Sequence, residues 1–192
     1  MRSISAFALV AAFATAYACG GSPTGPSRAG GTLTLMLKDS PYGDAKSLVV
    51  TFSEVSAHLA GQVDSAWTRL PFADGATSRT CDLKKLQTAQ DVLGTGPLAA
   101  GHYTMVRLTV ASAALYFDNA AAGNACAASI VAPAGRSAAL EIPSGEVKLN
   151  REFDIASTAT TILVDFDGDK SVHEAGNGRF MMSPVISVVS VH

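Results

Sequence analysis

Apolar residues in this chain recur at every second position, segment after segment. That period places them on one face of a β-strand and on no single face of a helix. Leu33, Leu35 and Leu37 share one side of the stretch Thr32 to Leu37. In the longest such stretch, His102 to Phe117, Val106, Leu108 and Val110 alternate with Met105, Arg107 and Thr109. Further strands are predicted at Leu48–Phe52, Trp67–Leu70, Ala138–Ile142, Val147–Ile155 and Thr160–Phe166. The apolar phase jumps from Leu48, Val50 and Phe52 to Val55, Ala57 and Leu59, which one extra residue near Ser53–Glu54 would produce. That jump predicts a β-bulge. The last segment, Arg179 to Val191, reads as one long strand built into a sheet. Proline cannot donate to a ladder, so Pro184 belongs at a bulge or on an unpaired edge.

Other segments break the alternation. In Asp82 to Leu93, Leu83, Leu86, Ala89, Gln90 and Leu93 fall near helical spacing, and Gly94 follows as a stop. This reads as one short helix or an irregular excursion with a leucine plug. Asp39-Ser40-Pro41-Tyr42-Gly43-Asp44 has turn chemistry, and Asp118 to Gly135 reads as a long loop. Asp167 to Gly178 carries charges and little apolar surface, so an exposed hairpin loop is predicted there. Many short strands, one helix and no βαβ rhythm predict an all-β sandwich. No repeat of fixed period is present.

The start of the chain has a different character. Arg2 precedes a mostly apolar run, Ile4 to Ala18, and Cys19 follows it directly. A positive start, a short apolar core and a small residue before the cut make a secretory signal. The run falls below the roughly 18 residues needed to cross a bilayer. Ala16-Tyr17-Ala18-Cys19 resembles the bacterial lipobox, with Ala16 where leucine is usual, and Cys19 is then the first mature residue and carries a diacylglyceryl group. Two acyl chains hold a protein stably, at about 0.8 kcal/mol per buried CH₂. Ordinary cleavage after Ala18 and an uncleaved anchoring span are the alternatives. Gly20 stands where an inner-membrane retention signal would show Asp, which points to the outer membrane. Residues 19–31, rich in Gly, Ser and Pro, read as a flexible tether, and 32–192 as a single domain.

Export gives the remaining cysteines a meaning. Cys81 and Cys126 are an even pair in an oxidising compartment, where a disulfide is expected. Free buried thiols, a metal pair and a redox couple remain open alternatives. The net charge is −2, and −3 once Arg2 is removed with the signal. A mildly acidic chain with scattered basic residues lacks the footprint of a nucleic-acid binder.

Asp165, Asp167 and Asp169 alternate around Gly168, and His173, Glu174 and Arg179 follow on a glycine-bearing stretch. Alternating carboxylates are a weak calcium candidate: the positions where an EF-hand loop needs Gly and Glu hold Lys170 and Gly176. Asp165, Asp167, Asp169, His173 and Arg179 form the candidate ligand loop. The plainer reading is a solvated turn in which Lys170 and Arg179 pair with the acids. The four histidines share no metal spacing, and no nucleophile elbow or phosphate loop is present. Trp67, Tyr103, Tyr116 and Phe117 are candidates for a sugar-stacking platform or for core.

Three segments carry a family resemblance. They are Gly31-Thr32-Leu33-Thr34 through Asp39-Ser40-Pro41 and Asp44-Ala45; Ala100-Gly101-His102-Tyr103-Thr104 with Arg107-Leu108; and Asp165-Phe166-Asp167 through Lys170-Ser171-Val172-His173, Gly176, Gly178-Arg179-Phe180 and Pro184-Val185-Ile186. Together they resemble bacterial lipoproteins that carry a conserved domain of unknown function after a lipobox. The resemblance implies an exported, immunoglobulin-like or transthyretin-like β-sandwich and no reaction. The functional expectation is a non-enzymatic, membrane-anchored envelope lipoprotein that binds an envelope protein or a glycan, with no cofactor beyond the lipid on Cys19. The alternative is a hydrolase or metal-dependent enzyme that uses the Asp165–His173–Arg179 region, with Asp39 and Asp44 as a second cluster.

Overall fold

The computed structural model describes residues 29–40 and 42–192. The expected signal segment with Cys19, most of the expected tether, and Pro41 therefore lie outside the described residues. Among the described residues the domain is built from strands in two sheets, with one short α-helix.

The first strand, β1 (Gly31–Ser40), buries Leu33, Leu35 and Leu37 on one face, as their alternation requires. It takes in Gly31, the residue that the sequence assigns to the end of the tether. A Cβ at Gly31 would collide with the carbonyl oxygens of Ala156 and Thr158, so the strand can begin that close to its neighbours only with glycine there. β2 (Ser47–Leu59) runs back, and its register against the long strand β6 (Gly101–Tyr116) shifts between Phe52 and Glu54. This is the bulge that the phase jump predicts: it keeps both halves of β2 facing the core. β3 (Thr68–Leu70) and β4 (Arg79–Asp82) pair with successive parts of β2.

The segment after β4 is only partly helical. Leu83–Gln87 forms a 3-10 turn whose Leu83 and Leu86 are fully buried, and Leu93 belongs instead to β5 (Asp91–Leu98). Asp82 caps the turn by accepting from the Lys84 amide at 3.2 Å. Gly94, Gly96 and Pro97 lower the intrinsic strand propensity of β5. Gly96 is nevertheless required there, because a Cβ would lie 2.6 Å from the Pro71 ring. Pro97 is tolerated because β5 is an edge strand.

Two residues of the long loop, Cys126–Ala127, form β7 beside β4. In that register Cys81 faces Cys126, and the two are bridged with Cα atoms 4.1 Å apart. Next come β8 (Ser137–Glu141), β9 (Glu146–Ile155) and β10 (Thr160–Asp167). β10 leads into α1 (Gly168–Ser171), then β11 (Val172–Gly176), β12 (Arg179–Met182) and β13 (Ile186–Val191).

The four-stranded sheet has the order β13-β10-β1-β5, with β1 and β10 parallel. The nine-stranded sheet runs β11-β12-β8-β6-β2-β4-β7, with β3 added beside β2 and β9 beside β6. One side of the sandwich is stitched by a bridge between Phe72 and Gly94 and by the Thr95 amide donating to the Pro71 carbonyl at 3.0 Å. On the other side clefts of about 490 and 390 Å³ open between residues of β9 and the chain around β13. Tyr103 and Phe153 stack in the core with ring centroids 5.3 Å apart.

Two expectations need correction. Arg179 to Val191 is not one strand: it divides at Ser183–Val185 into β12 in the larger sheet and β13 in the smaller. Pro184 marks the division, since it has no N–H for either ladder. Asp167 to Gly178 is not a plain hairpin loop either. It holds α1, β11 and the turn that leads into β12, which places Asn177 and Gly178 at φ 55° and 70°.

Candidate functional site

The parallel pairing of β1 and β10 brings distant acids to one end of the domain, here called the upper end. Lys38 lies opposite Asp165, Asp39 opposite Phe166, and Ser40 opposite Asp167. Strand alternation then separates their side chains. Asp39 continues the buried face of Leu33, Leu35 and Leu37, whereas Lys38 and Asp165 share the outer face. On that outer face Lys38 Nζ pairs with Asp165 Oδ2 at 2.9 Å.

The other candidates are engaged one by one. Asp167 caps α1: its Oδ1 accepts from the Lys170 amide at 3.1 Å and its Oδ2 from Lys170 Nζ at 2.6 Å. The hydrogen bonds from Lys170 hold the Asp167 carboxyl below the usual carboxylate range. Asp169 Oδ1 accepts from the Gly43 amide at 2.9 Å, which ties α1 to the turn after β1. Ser171, fully buried, accepts from the Val185 amide through its Oγ at 2.8 Å, and its carbonyl accepts from the Ser183 amide at 2.8 Å. The most specific stretch of the family resemblance, around Lys170–His173 and Pro184–Ile186, thus includes the joint that lets the chain cross between sheets.

Arg179 does not join this group. β12 lies parallel to β8, and one guanidinium nitrogen of Arg179 donates to both carboxylate oxygens of Glu141, at 2.7 and 2.9 Å. The expectation that Arg179 pairs with the aspartates is corrected accordingly. His173 is exposed on β11 opposite Met181 and makes no side-chain hydrogen bond among the described residues. Asp44 is exposed and accepts from the Tyr42 hydroxyl at 3.5 Å. Among the described residues no three histidine, cysteine or acidic side chains converge where one metal ion could be held.

Asp39 is different. It is 4% exposed, and neither carboxylate oxygen has a hydrogen-bond partner. Burial, and next the charge of Asp165, push its pKa up to about 8. From sequence Asp39 reads as a turn residue and as one member of a second cluster. Its burial comes from pairing with β10, far along the chain.

Two further polar assemblies have no signature in the sequence. Asp82, fully buried, accepts from Ser47 Oγ at 2.7 Å and from the Leu48 amide at 3.1 Å. Ser47 Oγ in turn accepts from the Ala121 amide at 2.7 Å, so this group anchors the long loop. The one local sign of Asp82 is its place as a cap before Leu83; its partners have none. The second assembly lies on the outer face of β2 and β6. Arg107 donates to Glu54 at 2.9 Å and lies 4.3 Å from the Trp67 ring centroid, with His58 tilted against the same indole. The aromatic platform does not assemble. Tyr103 is in the core, Trp67 covers Arg107, and Phe117 packs against Phe180 and Arg136.

A two-sheet all-β domain with a pinned loop and an acid-rich end of mutually engaged side chains is the class these features define. Residues 30–184 match the family described as "Domain of unknown function (DUF4382)", and the chain belongs to that family. No curated protein and no solved structure matches the chain.

Proposed function

We propose that the protein is a non-enzymatic lipoprotein, held on the cell envelope, in the outer membrane, by the lipid on Cys19, and that its β domain is a binding module for an envelope protein or glycan. The observation that carries the non-enzymatic part is the pairwise engagement of the candidate loop. Asp165, Asp167, Asp169 and Arg179 each face a different partner: Lys38, Lys170, the Gly43 amide and Glu141. Catalysis needs a nucleophile, a base and an orienting group that converge on one reacting atom. Pairs that satisfy one another brace loops instead.

The anchoring part rests on the resemblance of Ala16-Tyr17-Ala18-Cys19 to a lipobox. The start of β1 and the end of β13 lie at the same end of the smaller sheet, where Thr161 and His192 exchange backbone hydrogen bonds of 2.7 and 3.0 Å. Membrane fractionation of the wild type and of Cys19→Ser tests the anchor, with the variant expected in the soluble fraction. Millimolar calcium tests the competing metal reading. An unchanged melting temperature is expected, and a rise that Asp167→Ala abolishes would favour a metal-dependent activity instead.

A further inference from the structure

An open sheet edge invites another strand, and folds guard such edges with charge, proline or shortness. Here β5 carries Asp91 and Pro97, β11 carries Glu174, and β7 has two residues. β13 has no such guard. Ile186 to Val191 are isoleucine, valine and serine only, and Val189 is 49% exposed. β10 pairs with one side of β13, and no strand among the described residues pairs with the other. The Val185 carbonyl accepts from the Asp167 amide at 2.9 Å, so ladder alternation turns the backbone groups of Ile186 and Val188 away from β10. That free edge borders a cleft of about 390 Å³, which Ile186 and Val188 line opposite Lys148, Asn150 and Arg151 of β9. The register of β9 against β6 shifts between Tyr103 and Met105, which makes a bulge at Arg151–Glu152. The bulge gives Arg151 to the cleft, while Glu152 lies 3.8 Å from His102. Glu146, in the neighbouring cleft, is engaged by Arg107 at 3.6 Å and by Lys148 at 3.5 Å. Arg151 forms no ion pair among the described residues, so the cleft keeps an uncompensated positive charge beside a free strand edge.

We propose that the outer edge of β13 receives an extended segment of a partner protein as a fifth strand of the smaller sheet, and that acidic side chains of that segment reach Arg151 and Lys148. The backbone of Ile186 and Val188 supplies the ladder, and the two cations select the side chains that alternate toward the cleft. A second copy of this chain fits less well. Self-pairing of β13 in antiparallel fashion is isologous, about a two-fold axis normal to the sheet. It would bring the β9 edges of both copies to the same side of the joint, Lys148 and Arg151 facing their own counterparts. This inference rests on the proposed binding function and narrows it from protein or glycan to an acidic, extended polypeptide.

The test titrates capped peptides into isotope-labelled full-length protein and follows amide shifts and hydrogen exchange. The probe alternates valine with glutamate; its counterpart alternates valine with lysine. The glutamate peptide should slow exchange of the Ile186 and Val188 amides, which are unprotected without it. The lysine peptide should bind about tenfold more weakly or worse, and Arg151→Glu, a change at an exposed side chain, should reverse that preference. A glutamate peptide N-methylated at every second residue, on the edge that faces β13, should not bind. Equal binding of the two peptides to the wild type, or peptide binding that leaves Ile186 and Val188 unprotected, overturns the proposal. Protection of those amides that appears without peptide and grows with protein concentration would assign the edge to a second copy and overturns it too. Shifts caused by a chitin oligosaccharide away from β13, with no response to either peptide, would keep the proposed binding function and overturn this inference alone.

Discussion

Removing the bridge between Cys81 and Cys126 should cost this domain much of its stability. The two cysteines are 45 residues apart, and the chain-entropy relation gives about 4 kcal/mol for closing a loop of that length in the unfolded chain. The native loop keeps its tie from the Ala121 amide to Ser47 without the bridge, but the strand pairing around Cys126 is short. β7 has two residues, held to β4 by the pairs Thr80–Ala127 and Cys81–Cys126 and by the Asp82 amide donating to the Ala125 carbonyl at 2.7 Å. For a domain of this size 1 kcal/mol moves the melting temperature by about 2–4 °C, so a loss of about 8–16 °C is expected. Calorimetry should compare the oxidised protein, the reduced protein and Cys81→Ala/Cys126→Ala. The reduced wild type isolates the bridge from the small cavity that alanine leaves. Cys81 is fully buried and Cys126 is 4% exposed, so reductant should act at the rate of unfolding rather than on the folded domain. Melting of both bridge-free forms within about 2 °C of the oxidised protein would refute the unfolded-state reasoning.

Asp82→Ala should destabilise by about 2–4 kcal/mol in urea unfolding, because it strands the buried Ser47 hydroxyl and the Leu48 amide and removes the cap on the Lys84 amide. Asp39 binds its proton more tightly in the folded than in the unfolded chain between its ordinary 3.8 and about 8. Its contribution to stability should therefore fall as pH rises through that window, with a slope of up to about 1.4 kcal/mol per pH unit, and level off above it. Denaturant unfolding of Asp39→Asn across the same range should lack that slope. Asp167→Ala should cost about 1 kcal/mol, the usual loss of a helix cap, without displacing β12 or β13. Because the Asp167 pKa is lowered, that contribution is present above the ordinary carboxylate range and disappears as pH falls through the depressed value.

The strands are legible in the sequence because period-two patterns are local. Leu33, Leu35 and Leu37 announce both the strand and its buried face, and the phase jump after Phe52 announces the bulge. What escapes depends on partners distant in sequence. The start of β5, Asp91–Leu93, reads as the end of a helix because Leu83, Leu86, Ala89, Gln90 and Leu93 fall near helical spacing, and Gly94, Gly96 and Pro97 hide the rest of the strand by depressing strand propensity; the close approach of Pro71 that demands Gly96 is a tertiary fact. The divided final segment escapes because alternation does not say which sheet a strand joins. Pro184 signals a break, but a bulge and a change of sheet look alike from a single residue. α1, four residues long, is too short for a period, and its visible sign is the cap at Asp167. The residues of the acidic end are visible as neighbours in sequence. Their pairing with Lys38, the Gly43 amide and Glu141 follows from β1 lying beside β10 and β12 beside β8.

The most direct measurement on the central claim is intact and peptide mass of the protein purified from the membrane fraction of its native host. The expected result is a chain that begins at Cys19 and carries a diacylglyceryl group there, lost together with membrane association in Cys19→Ser. A wild-type chain recovered wholly in the soluble fraction with an unmodified Cys19 would contradict it.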